Sequence, residues 1–239
     1  YGRLYKTLPL MYKTIIWDWN GTMLDDLELS LESVNFLLEE RALPLLSIER
    51  YKDIFGFPVK DYYVKAGFDF TKEPFEVPAK QYVKLYAAKA SDLKLFPDVI
   101  DVLSFFKENN YRQIVLSAMK DDNLKLMIGN ANITHYFDGI FGIKDNYARE
   151  KVSLGNNIYA DGKIGRGQQM LRTLAINPAE TLMVGDPIHD AEVAEQCGFD
   201  CILYSGGHVS KQRLKTTGLR IIERLSDVKQ IISTHHTSS

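Results

Sequence analysis

The chain alternates between short apolar runs and segments in which apolar residues recur at three- and four-residue steps. Residues 15–17 are β-branched and aromatic, and a continuous run of this kind is typical of a strand buried on both faces. Similar runs occur at residues 114–116, 139–141, 181–184, 201–204 and, as a final edge strand, 220–223. The helical steps between them predict helices after Phe96-Pro97-Asp98, from about Asp121, from Gln168 to Ala175 and from Asp190 to Gln196. This order favours a parallel sheet with helices on both faces.

The segment from Asp26 to Ser91 contains no strand-like alternation. Its apolar residues follow helical steps that Pro and Gly interrupt, as in the series Leu27, Leu31, Val34 and Leu38. We therefore predict an α/β fold, a Rossmann-like parallel sheet core with an inserted all-helical subdomain. Residues 11–25 and 92–239 form the core, residues 26–91 form the helical insert, and residues 1–10 are interpreted as an extension.

Net charge, apolar runs and cysteine content limit the partners and the cellular location that we expect for the chain. The 239 residues carry a formal net charge of −2, which argues against a dedicated nucleic-acid binder because such domains are usually basic. No apolar run is long enough to span a bilayer, and no segment resembles a signal peptide. The two cysteines, Cys197 and Cys201, are interpreted as small buried apolar residues because no second Cys or His pair stands at zinc spacing. We expect a cytoplasmic protein, monomeric or homodimeric, with no nucleic-acid or membrane partner.

Polar residues stand where three of the predicted strands end. Asp18, Ser117 and Asp186 follow apolar runs, and the carboxyl ends of parallel strands meet at one edge of a sheet. Lys163 opens a helix in the same alternation. An Asp after a strand commonly bonds only to nearby N–H groups, so Asp18 alone would indicate little. Together, however, carboxylates suit Mg²⁺, a hydroxyl and an ammonium suit phosphate, and a carboxylate facing phosphorus is a candidate nucleophile.

Four motifs in this order resemble the haloacid dehalogenase (HAD) superfamily, and most closely its phosphoglycolate-phosphatase-like members. The first family motif, D-x-D-G-T-x-x-D, matches residues 18–25 except at position 20. The second, an apolar strand ending in Ser or Thr, matches Ser117. The third, a Lys near a helix start, matches Lys163. The fourth, G-D-x-x-x-D, matches residues 185–190 through Gly185, Asp186 and Asp190. The resemblance implies an HAD-like core with a helical cap inserted after the first motif.

The resemblance also implies a role for each matching residue. Asp18 would be the nucleophile that forms an aspartyl-phosphate. The residues that would bind Mg²⁺ are Asp18, the backbone carbonyl of Asn20, Asp186 and, as an additional acid at or near the ion, Asp190. Ser117 and Lys163 would hold the phosphoryl oxygens, and Thr22 would support the loop of this substrate-binding site. The implied activity is hydrolysis of a small phosphorylated metabolite, with 2-phosphoglycolate as one candidate.

Position 20 departs from the family pattern. Family phosphatases carry Asp there as the general acid and base, whereas this chain carries Asn20, whose amide forms hydrogen bonds but does not trade a proton at neutral pH. General acid–base help is worth roughly 10²–10⁴-fold. Three explanations remain open: a substrate with a good leaving group or its own proton relay, a slow enzyme or one acting on another compound, or an engineered change. The simplest expectation is that Asn20→Asp raises turnover.

Several further assignments stay open at this stage. Lys151 lies in a sequence word similar to that around Lys163, and we favour Lys163 as the phosphate contact because it leads into the helix before Asp186. Asp25 and Asp26 are interpreted as caps of the first inserted helix, and His208 as an ordinary loop histidine near the edge of the site. The rival functions are a dehalogenase, which would not need Asp186 and Asp190, and a phospho-ligand-binding protein with little turnover. A phosphonatase is a third rival, which would usually place a Schiff-base lysine in the insert, and Lys52, Lys60 and Lys65 are candidates for it.

Overall fold

The computed structural model describes residues 12–143 and 162–233. Six parallel strands in the order β5-β4-β1-β6-β7-β8 form the main sheet. They are β1 (Thr14–Trp17), β4 (Arg112–Lys120), β5 (Gly139–Ile143), β6 (Thr181–Gly185), β7 (Asp200–Tyr204) and β8 (Arg220–Ile222). A separate antiparallel pair, β2 (Leu24–Asp25) and β3 (Lys94–Leu95), lies at the base of the insert. The parallel α/β core predicted from the sequence is confirmed.

Helices cover both faces of the main sheet. They are α5 (Val99–Glu108), α6 (Asp121–Asn130), α7 (Gly162–Leu174), α8 (Ile188–Cys197), α9 (Lys211–Leu214) and α10 (Asp227–Ser233). Side chains of β1 alternate between two cores: Ile15 and Trp17 pack with α5, whereas Ile16 packs with α7 and α8. A strand buried on both faces needs apolar residues at every position, which is why β1 reads as a continuous apolar run.

Four helices occupy the interval between β2 and β3. They are α1 (Leu27–Glu39), α2 (Ile48–Ile54), α3 (Val59–Ala66) and α4 (Glu76–Lys89). Their buried side chains form a hydrophobic cluster of their own, built around Val34, Leu37, Tyr51 and Tyr63. The assignment of these helices to a cap domain stays a prediction, as do its boundaries. No helix among the described residues is both long and apolar enough to cross a membrane.

Some elements differ from the sequence prediction. The helix predicted from Gln168 begins at Gly162, although Gly162, Gly165 and Gly167 are poor helix formers. The strand predicted to end at Ser117 continues to Lys120, with a register irregularity between Leu116 and Lys120. The β2–β3 pair was not predicted, because two-residue strands carry too little periodicity to be recognised.

Polar contacts fasten the insert to the loop that follows β7. The Arg213 guanidinium donates to the backbone oxygens of Lys52 (3.0 Å) and Phe55 (2.7 Å) at the end of α2. The Tyr51 hydroxyl lies 2.9 Å from Nδ1 of His208, and Nε2 of His208 lies 3.0 Å from Oδ1 of Asp26. These last three residues are buried, so the Asp26–His208 pair is a buried link between insert and core.

The Asp26–His208 pair is ionised near neutral pH. Burial lowers the pKa of His208, but the charge and hydrogen bond of Asp26 outweigh burial and raise it from 6.5 to about 8. Burial raises the pKa of Asp26, but the opposing effects of His208, Asn20 and Tyr86 leave it below its usual value.

The raised pKa of His208 predicts a pH-dependent contribution to stability. The contribution is fully present below about pH 6.5 and is lost as the pH rises through about 8, because the folded protein then releases the proton that stabilises it. A shift of this size corresponds to about 2 kcal/mol. We expect the difference in unfolding free energy between wild type and His208→Gln, measured by urea denaturation with chelator, to shrink by about that amount from pH 6 to pH 9.

The exposed His135 supplies the control, as His135→Gln removes an imidazole from the turn between α6 and β5. A difference between wild type and His208→Gln that stays constant across the same pH range would show that the pKa of His208 is the same in the folded and unfolded states, which would contradict the prediction.

Candidate active site

Two carboxylates enter one edge of the sheet from adjacent strands. Asp18 follows β1 directly, and its backbone N–H donates to the Val184 oxygen of β6 at 2.9 Å. Asp186 follows the last residue of β6. Because the two parallel strands are in register up to this point, both side chains emerge where parallel sheets bind ligands.

A third carboxylate, Asp190, comes from the first turn of α8 and folds back over the end of β6. The close approach depends on Gly185, since a Cβ at that position would stand 1.8 Å from Oδ2 of Asp190. The G-D-x-x-x-D spacing therefore combines a strand end, a glycine without a side chain and a carboxylate one helical turn later.

Lys163, in the first turn of α7, bridges two of these carboxylates. Its Nζ lies 2.8 Å from Oδ1 of Asp18 and 2.5 Å from Oδ1 of Asp190. All three side chains are buried. Burial lowers the pKa of Lys163, but Asp18 and Asp190 outweigh burial and raise it above its ordinary value. The ammonium is therefore a fixed positive charge at the centre of the site.

The carboxylates of Asp18, Asp186 and Asp190 offer oxygens that all lie within 4.8 Å of one another. Burial, reinforced by Asp18, raises the pKa of Asp186 to about 7 and holds the pKa of Asp190 well above its usual range. Oδ2 of Asp190 is buried and has no hydrogen-bond partner within the described residues. Three carboxylates face one ammonium, and an oxygen ligand is left over, so the donor set fits a small hard cation such as Mg²⁺.

Asp186 is held from two sides. Thr22 donates its hydroxyl to Oδ1 at 3.1 Å, and the backbone N–H of His208 donates to Oδ2 at 2.8 Å. Gly21 lies between these contacts with φ +71°, and a Cβ there would stand 2.4 Å from the His208 ring and 2.7 Å from Oδ2 of Asp186. Only glycine suits both the backbone conformation and the space. Thr22 thus supports the loop by orienting an acid.

Ser117 lies on β4, beside the nucleophile candidate. It stands two residues beyond Val115, the register partner of Trp17. The side chain is buried, and its oxygen accepts a hydrogen bond from the Met119 N–H at 3.1 Å. The hydroxyl proton remains available to a ligand. The structure therefore brings Asp18, Ser117, Lys163, Asp186 and Asp190 to one edge of the sheet.

Asn20 turns its side chain away from the acid cluster. Its Nδ2 donates to Oδ2 of Asp26 at 2.8 Å and to the Tyr86 hydroxyl at 2.9 Å. Position 20 therefore lies at the seam between the core and the insert, with its amide nitrogen facing the insert.

Asp26 and His208 are the residues whose place the sequence did not reveal. Asp26 stands at the N-cap position of α1, but its side chain makes no capping bond there. It binds Gly21, Asn20, Tyr86 and His208 instead. Asp26 thus occupies the predicted N-cap position but does not cap the helix through its side chain, and His208 is buried in the site. The available signals were a second Asp after Asp25 and a Gly-Gly-His word after a strand.

His189, in the first turn of α8, makes a local contact, with its Nδ1 2.8 Å from Oε2 of Glu192. Lys151, the rival of Lys163, lies outside the described residues, as do residues 1–10.

Comparisons with known proteins identify relatives of this chain. A family model described as haloacid dehalogenase-like hydrolase matches residues 12–198. The chain is 21% identical to a phosphoglycolate phosphatase of Caulobacter vibrioides, covering 87% of this chain and 85% of that protein. It is 26% identical to a phosphoglycolate phosphatase of Aquifex aeolicus, covering 82% and 86% of the two chains.

A solved structure shares the fold. A haloacid dehalogenase-like family hydrolase from Streptococcus pneumoniae superposes with a TM-score of 0.76 at 20% identity, covering 92% of this chain and 98% of that one. The match of the family model over most of the chain, together with the α/β architecture, shows that this protein belongs to the haloacid dehalogenase-like hydrolase family.

Proposed function

We propose that the protein is a Mg²⁺-dependent phosphatase that transfers the phosphoryl group of a small phosphorylated metabolite to Asp18. The observation that carries the proposal is the arrangement of Asp18. Its Oδ1 accepts from the Trp19 N–H at 2.7 Å and from Lys163 at 2.8 Å. Both contacts fall on one oxygen, so the carboxylate is oriented and Oδ2 is left to act as the nucleophile.

In the first step, Oδ2 of Asp18 forms a bond to phosphorus while the bond from phosphorus to the leaving oxygen breaks. The leaving oxygen departs with the electron pair of the broken bond and takes a proton from water to become an alcohol. In the second step, water attacks the aspartyl-phosphate, releasing inorganic phosphate and restoring the carboxylate. Ser117 and Lys163 donate hydrogen bonds to the phosphoryl oxygens throughout, which stabilises charge in a buried site.

The metal-binding residues would be Asp18, Asp186, the backbone carbonyl of residue 20 and, as an additional acid at or near the ion, Asp190. When bound, Mg²⁺ supplies Lewis-acid stabilisation of charge on the phosphoryl oxygens. The fit rests on the shared cluster of oxygens and on the unpartnered Oδ2 of Asp190. Phosphoglycolate is one candidate substrate because relatives bear that name.

Asn20 places a condition on the leaving group. An amide at position 20 does not protonate a departing alkoxide, so the enzyme favours substrates whose leaving oxygen needs little help. A preference for such substrates would explain why Asn20 occurs in a site that keeps both the nucleophile Asp18 and the proposed metal ligands.

A second candidate function, cleavage of a carbon–phosphorus bond, is favoured by one observation. Lys52 lies on α2 of the insert, and burial lowers the pKa of its ammonium in spite of Asp186 and Asp25. In its uncharged form, the Lys52 amine would condense with a carbonyl to form an imine and water. The imine would then accept the electron pair of the breaking carbon–phosphorus bond while phosphorus moves to Asp18.

The first prediction concerns the nucleophile. We expect Asp18→Ala to lower the rate of phosphate release from a panel of phosphomonoesters with Mg²⁺ by roughly 10³-fold or more, because loss of a nucleophile removes the covalent route. The matched control is Asp122→Ala, which removes a carboxylate that is 84% exposed. Activity that is equal in Asp18→Ala and wild type would reject Asp18 as the nucleophile.

The second prediction concerns the metal. Saturating Mg²⁺ should raise the Tm of the chelator-treated protein by roughly 5–10 °C, since a ligand at 100 times its Kd adds about 2.7 kcal/mol. Differential scanning calorimetry measures the shift. It should disappear in Asp186→Asn and persist in Asp122→Asn, and a shift that survives in Asp186→Asn would place the ion elsewhere.

The third prediction separates the two candidate functions. With a phosphonate that bears a β-carbonyl and with borohydride, we expect no reduced adduct on Lys52 by mass spectrometry, because the site is built for phosphate esters. An adduct at Lys52 in wild type, absent from Lys52→Ala and retained in Lys60→Ala, would replace phosphatase by carbon–phosphorus cleavage.

A further inference from the structure

Asp26 is a buried carboxylate on which several segments of the chain converge. Oδ1 accepts from the Gly21 N–H at 2.8 Å and faces Nε2 of His208 at 3.0 Å. Oδ2 accepts from Nδ2 of Asn20 and from the Tyr86 hydroxyl, each at 2.8 Å, and the Ser30 hydroxyl stands 3.4 Å away. The donors come from the loop after β1, from α1 and α4 of the insert, and from the loop after β7. No other carboxylate among the described residues joins these segments.

These contacts fix the orientation of the Asn20 amide. Its two N–H bonds go to Oδ2 of Asp26 and to the Tyr86 hydroxyl, which itself donates to Asp26. If the amide were rotated by half a turn, its carbonyl oxygen would stand against a carboxylate oxygen with no proton between them. Asp26 therefore determines that Nδ2 faces the insert and that Oδ1 of Asn20 faces the other way.

We propose that Asp26 is a positioning residue that acts through position 20, and that the two positions form one unit needing one carboxylate and one amide. The inference deepens the proposed function, because the unit holds the loop at residues 20 and 21, and the backbone carbonyl of residue 20 is one of the proposed metal ligands. Asn20 is then the partner that a carboxylate at position 26 requires.

Each single substitution disrupts the hydrogen bond between positions 20 and 26, one by pairing two acceptors and the other by pairing two donors. Asn20→Asp puts two carboxylate oxygens together at a buried position, where like charges repel strongly. Asp26→Asn puts two amide N–H groups together and leaves one without an acceptor. The double exchange Asn20→Asp with Asp26→Asn restores a donor facing an acceptor. The amide introduced at position 26 would keep an oxygen for Gly21 and His208, and the Tyr86 hydroxyl would turn to accept.

The experiment is a double-mutant cycle measured by thermal unfolding in chelator. We expect each single variant to lower the Tm by roughly 3–10 °C, as burial of an unpartnered polar group costs stability. In the Asp26→Asn background, Asn20→Asp should instead raise the Tm, so the sign of its effect reverses. This arm is independent of any activity and therefore separates failure of the inference from failure of the proposed function.

The kinetic arm tests positioning beyond stability. The phosphate-binding groups Ser117 and Lys163 are untouched in these variants, so we expect both single variants to lower kcat by roughly ten- to a hundred-fold with KM within about threefold. For Asn20→Asp this reverses the gain in turnover expected from the sequence alone, because the new carboxylate would face Asp26. The double variant should recover kcat. A purely structural role would leave kcat per folded molecule unchanged in the single variants.

Asp25 supplies the control background. It is the exposed neighbour of Asp26, and Asp25→Asn changes the net charge by the same amount. Asn20→Asp should lower the Tm in this background as it does in wild type. The inference is overturned if Asn20→Asp shifts Tm and kcat in the same direction in all three backgrounds.

Discussion

The site depends on one buried ammonium group. Lys163 lies between Asp18 and Asp190, and without it three carboxylates would share a pocket that water barely reaches. Removing one partner of a buried ion pair leaves an uncompensated charge, which is far more costly than the pair itself is stabilising. Lys163 pairs with Asp18 and Asp190 but not with Asp186. No cationic side chain of the described residues is bound to the Asp186 carboxylate, so one ammonium faces three carboxylates. This charge arrangement supports the proposal that the site binds a cation.

The Asp26–His208 ion pair lies next to Lys163 and its carboxylates, and it links the insert to the core. Asp26 and His208 neutralise each other, and their contacts connect the loop after β1, the insert and the loop after β7. Asp186 touches both systems, because its Oδ2 accepts from the His208 N–H. The acid that is proposed to bind metal is thus oriented by the residue that fastens the insert, so a change at the insert has a direct physical route to the reacting centre.

Local sequence patterns predicted the parts of the structure that local physics determines. The buried strand β1 and the strand-end acids Asp18 and Asp186 were evident because apolar runs and turn residues are contiguous. The extension of β4 past Ser117 was not, because Ala118, Met119 and Lys120 carry no strand pattern. Asp26 was interpreted as a helix cap because an Asp before a helix gives the same signal whatever its side chain binds. Its contact with His208 spans 182 positions, and no periodicity records such a pairing.

The paired strands β2 and β3 give the insert a narrow attachment. Leu24 pairs with Leu95 and Asp25 with Lys94, so the chain leaves and re-enters the core at adjacent points. Domains whose ends lie close together are readily exchanged, because a replacement needs only to span the same short gap. We therefore expect the four helices between those strands to be exchangeable as one segment while the main sheet keeps its register. In such an exchange the incoming segment would have to supply a hydrogen-bond donor to Asp26 in place of Tyr86. Without one, the buried carboxylate would lose a partner.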